Sequence, residues 1–198
     1  MVVHVHVFNR GLVIGLYVWE SGTNMNATDK GFSLIELLIV VAIILIIAAI
    51  AIPNLLASRM AANEASAVGS IQAIKTAEFA YFTSFPTVGY PLAITGLGGI
   101  GSPCVASSAA ACLLDSALVA AVPGGTAKSG YVFQATGIAS GTSVNSAFVV
   151  GATPVIVHQT GNRDFCSTDD AVLRSQIGTV GDTPATNTSA CLAYPVTQ

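Results

Sequence analysis

The sequence predicts an α+β chain: one long N-terminal helix, apolar in its first half, packed on a small antiparallel β-sheet head. Three observations predict it. Residues 32–52 are an apolar run of 21 residues in which Glu36 carries the sole charge. Residues 55–82 are rich in Ala and free of Pro. Beyond residue 128, short β-branched and aromatic stretches alternate with Gly, Pro and Asp turn signals.

As a helix at about 1.5 Å per residue, the first run is roughly 31 Å long, which matches the hydrocarbon core of a bilayer. Two details set it apart from an ordinary anchor. Glu36 lies in the first turn, and a carboxylate in lipid is costly unless something pairs with it. Lys30-Gly31-Phe32 stands directly before the run, where a processing site could lie. Cleavage after Gly31 would leave an α-amine on Phe32, four residues before Glu36, at the helix end whose dipole favours a carboxylate. In a packed filament Glu36 could instead meet the amine of a neighbouring copy and set the axial register.

The stretch Lys30-Gly31-Phe32-Ser33-Leu34-Ile35-Glu36-Leu37-Leu38-Ile39-Val40-Val41-Ala42-Ile43 resembles the type IV pilin family. The resemblance is firm over residues 30 to about 60, and the remainder agrees in style. It implies the pilin fold, cleavage between Gly31 and Phe32 by a prepilin peptidase, N-methylation of Phe32, and polymerisation through the apolar helix. Glu36 falls at the fifth mature position, where the family carries its assembly glutamate. Pro53 falls at the twenty-second, where the family helix bends or melts. The implied partners are copies of the same chain in a helical filament, the peptidase/methyltransferase and the inner-membrane assembly machinery. The implied location is the bacterial inner membrane as a single-pass precursor, then an extracellular filament serving adhesion, motility or DNA uptake. The alternatives are a pseudopilin of a type II secretion system and a minor tip pilin acting as a binding module.

Residues 1–31 read as leader, residues 32–84 as the long helix and residues 85–198 as the head. Residues 1–24 fit poorly with the rest of the chain. Their apolar stretch, Gly11 to Trp19, is too short to span a bilayer. Translation from Met25 leaves a seven-residue polar leader, the simpler reading. His4 and His6 share a strand face, but two ligands make a weak metal site.

After Ile52, Pro53 removes a backbone donor, so a kink or local melting is expected. The helix then resumes. Met60, Ala67, Ile71, Ile74 and Tyr81 recur on one helical face, which should carry the head. Arg59, Asn63, Glu64 and Gln72 are expected toward solvent or a neighbour. Phe85-Pro86 marks the stop. Phe79, Tyr81, Phe82, Phe85 and Tyr90 cluster at the junction, where core packing is the plain reading and an electron-conducting stack the remote one.

In the head, residues 115–121 suggest a short helix. Residues 129–137 suggest a strand, and residues 146–158 a second one, interruptible at Pro154. Residues 163–168 and 171–176 suggest a hairpin turning at Asp169-Asp170. The sum is an antiparallel meander of three or four strands. Gly96-Leu97-Gly98-Gly99-Ile100-Gly101 matches G-x-G-x-x-G but follows no strand and opens no helix, so it reads as a flexible loop.

Charged residues are 9% and hydrophobic residues 53%, with a net charge of -3. That balance suits a surface packing against its own kind and gives no basic footprint for nucleic acid. No G-x-S-x-G elbow, paired-histidine motif or P-loop is present, so the chain reads as a structural subunit and not an enzyme, with no cofactor and no metal. Asp164, Asp169 and Asp170 could bind calcium, though turn chemistry explains them as well. Cys104, Cys112, Cys166 and Cys191 all follow the apolar run, and an even count in an exported domain argues for disulfides. Four cysteines allow three pairings. A Cys104–Cys112 link closes a short Ala/Ser loop, and a Cys166–Cys191 link then resembles the C-terminal disulfide loop of many type IV pilins.

Overall fold

A computed structural model describes residues 31–99, 101, 103–139, 141 and 144–197. The readings placed on residues 1–30, including the Met25 start and the His4/His6 pair, lie outside the described residues. The chain divides into two compact units, residues 1–47 and residues 48–198.

Helix α1 covers Leu34–Ser84. Its helical assignment runs unbroken through Pro53, so the local melting expected there is absent. The physical reason is cooperativity. Pro53 forfeits one donor, the one that would reach the Ala49 carbonyl, while intact turns on both sides hold the backbone in register. Helix α1 stops at Ser84, and the Phe85 amide still reaches the Tyr81 carbonyl (2.9 Å) before Pro86 ends the series.

Within residues 48–198, α1 buries a stripe of Ala67, Ile71, Ile74 and Tyr81. Met60, expected on that stripe, is half-buried. Against the stripe lies a four-stranded antiparallel sheet in the order β1-β2-β3-β4. The strands are β1 (Tyr131–Ala139), β2 (Asn145–Pro154), β3 (Arg163–Thr168) and β4 (Leu173–Ile177). Register is fixed by pairs such as Ala135 with Val150, Gly151 with Cys166, and Cys166 with Arg174. Pro154 ends β2, consistent with a residue that cannot donate to a ladder.

Alternation along β2 splits the interior in two. Phe148, Val150 and Ala152 face the α1 side with Phe133 and Phe165. Val149 faces the other way, into a smaller cluster with Cys166, Ala185 and Cys191. The C-terminal segment closes this second face and includes helix α3 (Thr188–Leu192), which Asn187 caps by accepting from the Ala190 amide (2.7 Å). It passes so close that a Cβ on Gly151 would stand 2.3 Å from the Ala185 nitrogen, so only glycine fits at that strand position.

Helix α2 (Ser116–Val119) starts at Asp115, whose carboxylate accepts from the Leu118 amide (2.8 Å). The glycine-rich stretch differs from a flexible loop. A 3₁₀ turn, Ile94–Leu97, leads into it, and Leu97 is fully buried. Its backbone carbonyls accept from Ala111, Cys112, Leu113 and Leu114, so this segment is tied down by the following one.

Candidate functional site

The apolar half of α1 begins at a defined turn. The Ser33 carbonyl accepts from the Glu36 amide (3.0 Å) and the Leu37 amide (3.2 Å), so helical bonding starts there. Glu36 is the acid of the first turn and is exposed. Gly31 and Phe32 are exposed just before it. Ser33 and Glu36 are the polar residues between Phe32 and Ile52. The most apolar 18-residue window of α1 has a mean hydropathy of 3.3 and is 0% buried. Leu34 is 81% exposed and Ile50 65%. Hydrophobic residues occupy every side of this stretch, which is the pattern of a helix covered all round by an apolar environment. Water is a poor solvent for such a surface: each fully bared Leu or Ile forgoes about 1.5–3 kcal/mol.

Residues 48–198 hold four titratable groups of note, two on α1 and two in the head. Glu78 is fully buried, neither carboxylate oxygen has a partner among the described residues, and burial pushes its carboxyl up to about 8. Asp164 is fully buried on β3, with its carboxyl pushed up to about 7 by burial first and the neighbouring Asp182 carboxyl second. The Arg174 guanidinium beside Asp170 (2.5 Å) holds that carboxyl well below its usual range. Glu64, expected to face solvent or a neighbour, is instead 8% exposed. It accepts from the Asn162 amide (2.8 Å) and from Arg163 through Nε (2.9 Å) and Nη2 (2.8 Å), which compensates its burial and pins the β2–β3 connection to α1.

Sequence reading missed the burial of both helix glutamates. The signal was present: Glu64, Ile71 and Glu78 are spaced by seven residues, so both acids share the buried stripe of Ile71. Among the described residues, no three His, Cys, Asp or Glu side chains gather into a metal-holding group. Asp170 is committed to Arg174, Thr168 and Val172, while Asp164 faces Gln176 and Asp182. His158 is exposed, with Nδ1 3.0 Å from the Asn162 Oδ1. The junction aromatics pack on one another at the edge of the core: the exposed Phe79 edge-on to the buried Phe148 at 5.5 Å, the exposed Phe82 stacked on Tyr90 at 4.9 Å, and the buried Tyr90 tilted on Phe148 at 4.8 Å.

Two disulfides are formed. Cys166 is bonded to Cys191, tying α3 to β3, and Cys104 is bonded to Cys112 within the Ala/Ser loop.

A bare apolar helix with one carboxylate in its first turn, joined to a disulfide-tied β head, defines a chain whose exposed apolar helix calls for an apolar covering. The prokaryotic N-terminal methylation motif matches residues 26–52. The chain is 71% identical over 35 residues to a type IV wide pilus major component of Thermus thermophilus, covering 18% of this chain and 27% of that one. It is 43% identical over 61 residues to a type IV major pilin of Myxococcus xanthus, covering 31% of this chain and 28% of that one. The chain thus spans little more than a quarter of the length of the curated relatives it matches. No solved structure matches it. The N-terminal segment therefore carries the type IV prepilin motif and is similar to that of type IV major pilins.

Proposed function

We propose that the chain is a structural subunit of a type IV pilus. A prepilin peptidase cuts between Gly31 and Phe32, Phe32 is N-methylated, and the subunit waits in the inner membrane before polymerising through the apolar half of α1. The observation that carries the reading is the bare apolar surface from Phe32 to Ile52 with Glu36 in its first turn. Lipid covers that surface in the precursor, and neighbouring helices cover it in the filament. The new amine of Phe32 and the Glu36 carboxylate supply the one polar pairing in an otherwise apolar bundle, where an unpaired charge is heavily penalised.

Intact-mass measurement of subunits from sheared surface fibres tests this reading. The expected mass is that of a chain beginning at N-methyl-Phe32 with two disulfides. Fibres lacking this chain, or a subunit that retains residues before Phe32, would refute it.

A further inference from the structure

Residues 178–187, between β4 and α3, cross the second face of the sheet as a strap. The Gly178 amide donates to the Asn162 carbonyl (2.9 Å) at one end, and Cys191 is bonded to Cys166 beyond the other. Among the described residues, no backbone hydrogen bond joins residues 179–187 to the strands. Two contacts hold the middle. The Ala185 backbone lies over Gly151, and the Asp182 carboxyl shares a hydrogen bond with the Asp164 carboxyl. Asp164 alternates with Phe165 along β3, so it faces the strap together with Cys166. It is fully buried, and its Oδ1 finds no donor among the described residues, while Gln176 Nε2 stands 3.5 Å from Oδ2. Two carboxyls can share a hydrogen bond only if one of them carries a proton. Asp182 accepts from the Thr179 amide (2.6 Å) and hydroxyl (2.8 Å), which favours its charged form, so the proton belongs to Asp164.

We propose that the Asp164–Asp182 pair is a proton-operated latch: it holds the strap down while one proton is shared, and loss of that proton frees the strap and opens the Cys166–Cys191 disulfide to reductant. No cation stands ready to balance a second charge. Arg163 is committed to Glu64, Arg174 to Asp170, Lys75 to the Ala171 carbonyl and Lys128 to Ser70. The other titratable groups in range are Tyr194 and Tyr131, both pushed up by burial first and by the Asp164 charge as well, so neither offers a countercharge. Losing the proton leaves two carboxylates in contact, one of them fully buried. Lifting the strap lets water reach Asp164 and breaks no backbone bond to a strand between residues 179 and 187. Ala185 shares a buried cluster with Val149, Cys166 and Cys191, so the same movement uncovers the disulfide. A proton suits this site better than a metal ion, because two carboxylates fall short of the roughly six to eight oxygens that calcium gathers. Burial first and the Asp182 carboxyl second push Asp164 up to about 7. The latch is therefore closed at acidic pH and opens as pH rises through neutrality.

The test treats the full chain in detergent with a water-soluble phosphine, traps the freed thiols and assigns them by mass spectrometry. The Cys104–Cys112 disulfide, whose Cys104 is exposed, is the internal reference for the reagent's own pH dependence. The expected result is a Cys166–Cys191 reduction rate that rises at least about tenfold against this reference between about pH 5 and pH 7. Asp164→Asn and, separately, Asp182→Asn should each flatten the rise, because an amide then donates across the pair with no shared proton to lose. A native chain without the rise, or a rise that either variant keeps, overturns the inference. A rise that steepens strongly in dilute urea assigns the opening to unfolding of the whole head, which exposes far more surface than the strap, and overturns it too. A rise abolished by millimolar calcium or magnesium assigns the pair to a metal ion and also overturns the latch.

Discussion

Glu78 makes the head's stability a function of pH in a range where an ordinary glutamate would be silent. Its side chain is fully buried, both oxygens lack partners among the described residues, and burial pushes its carboxyl from 4.5 up to about 8. The folded state therefore keeps the proton that the unfolded chain releases. Below about pH 4.5 both states are protonated and the group costs nothing through ionisation. Above that, the unfolded state gains about 1.4 kcal/mol for each pH unit until the folded carboxyl ionises near 8. Stability present at low pH is thus lost as pH rises toward 8, by at most about 5 kcal/mol, and by about 2–3 kcal/mol between about pH 5 and pH 7. Glu78→Gln keeps the shape and removes the proton. Its own buried amide is also unpartnered, at a cost of about 1–3 kcal/mol that does not vary with pH. The expected outcome is a native chain that loses about 2–3 kcal/mol relative to Glu78→Gln over those two pH units. The assay is denaturant unfolding of the full chain in detergent, followed by near-ultraviolet circular dichroism. Asp164, also raised, adds a slope of the same sign, but it is common to both proteins and cancels in the difference. Parallel pH profiles for the two proteins would refute the reasoning.

Glu36→Ala should leave the protein processed and inserted while sharply reducing sheared fibres, because the amine of Phe32 then has no partner in the helix bundle; normal fibre yield against subunit level would refute this. Paired Cys166→Ser and Cys191→Ser substitutions should cost about 3–4 kcal/mol from loop closure over a sequence separation of 25, and proteolysis should then reach the α3 segment first. Glu64→Ala removes three charge-assisted bonds to Asn162 and Arg163 and should cost about 2–3 kcal/mol in the same unfolding assay. Gly151→Ala should be as damaging or worse, because the added methyl meets the Ala185 backbone and not a flexible side chain; an unchanged midpoint would show that the C-terminal segment yields.

The elements that could be read in advance are those whose burial follows a short period. Strand β1 alternates buried and half-buried side chains, as a one-sided strand should, and the hairpin β3–β4 turns at Asp169-Asp170 as its turn residues dictate. The long helix was legible from composition alone, and so was the exposed, nearly uncharged run that makes it a candidate for assembly. Other features rest on tertiary neighbours that no local pattern records. Helix α3 has five residues and no periodicity, and its start is signalled by Asn187 alone. Leu97 is buried because later backbone amides close over it, a long-range fact that a run of glycines conceals.

The two buried glutamates of α1 are the sharper case, because local propensity and global burial conflict there. Glutamate is a good helix former, so nothing in the neighbourhood of Glu64 or Glu78 argues against either residue. Glu64 resolves the conflict by collecting an amide and a guanidinium, and its burial locks the β2–β3 connection to the helix. Glu78 does not resolve it within the described residues: its two oxygens face a site without donors. The chain tolerates this by keeping the group protonated, which turns a packing defect into a titratable one. Glu36 presents the same problem on the other side of Pro53, on the exposed apolar part of the helix. If assembly supplies its partner, the long helix treats its three carboxylates in three ways: one paired within the fold, one neutralised by burial, and one left for a neighbour to satisfy.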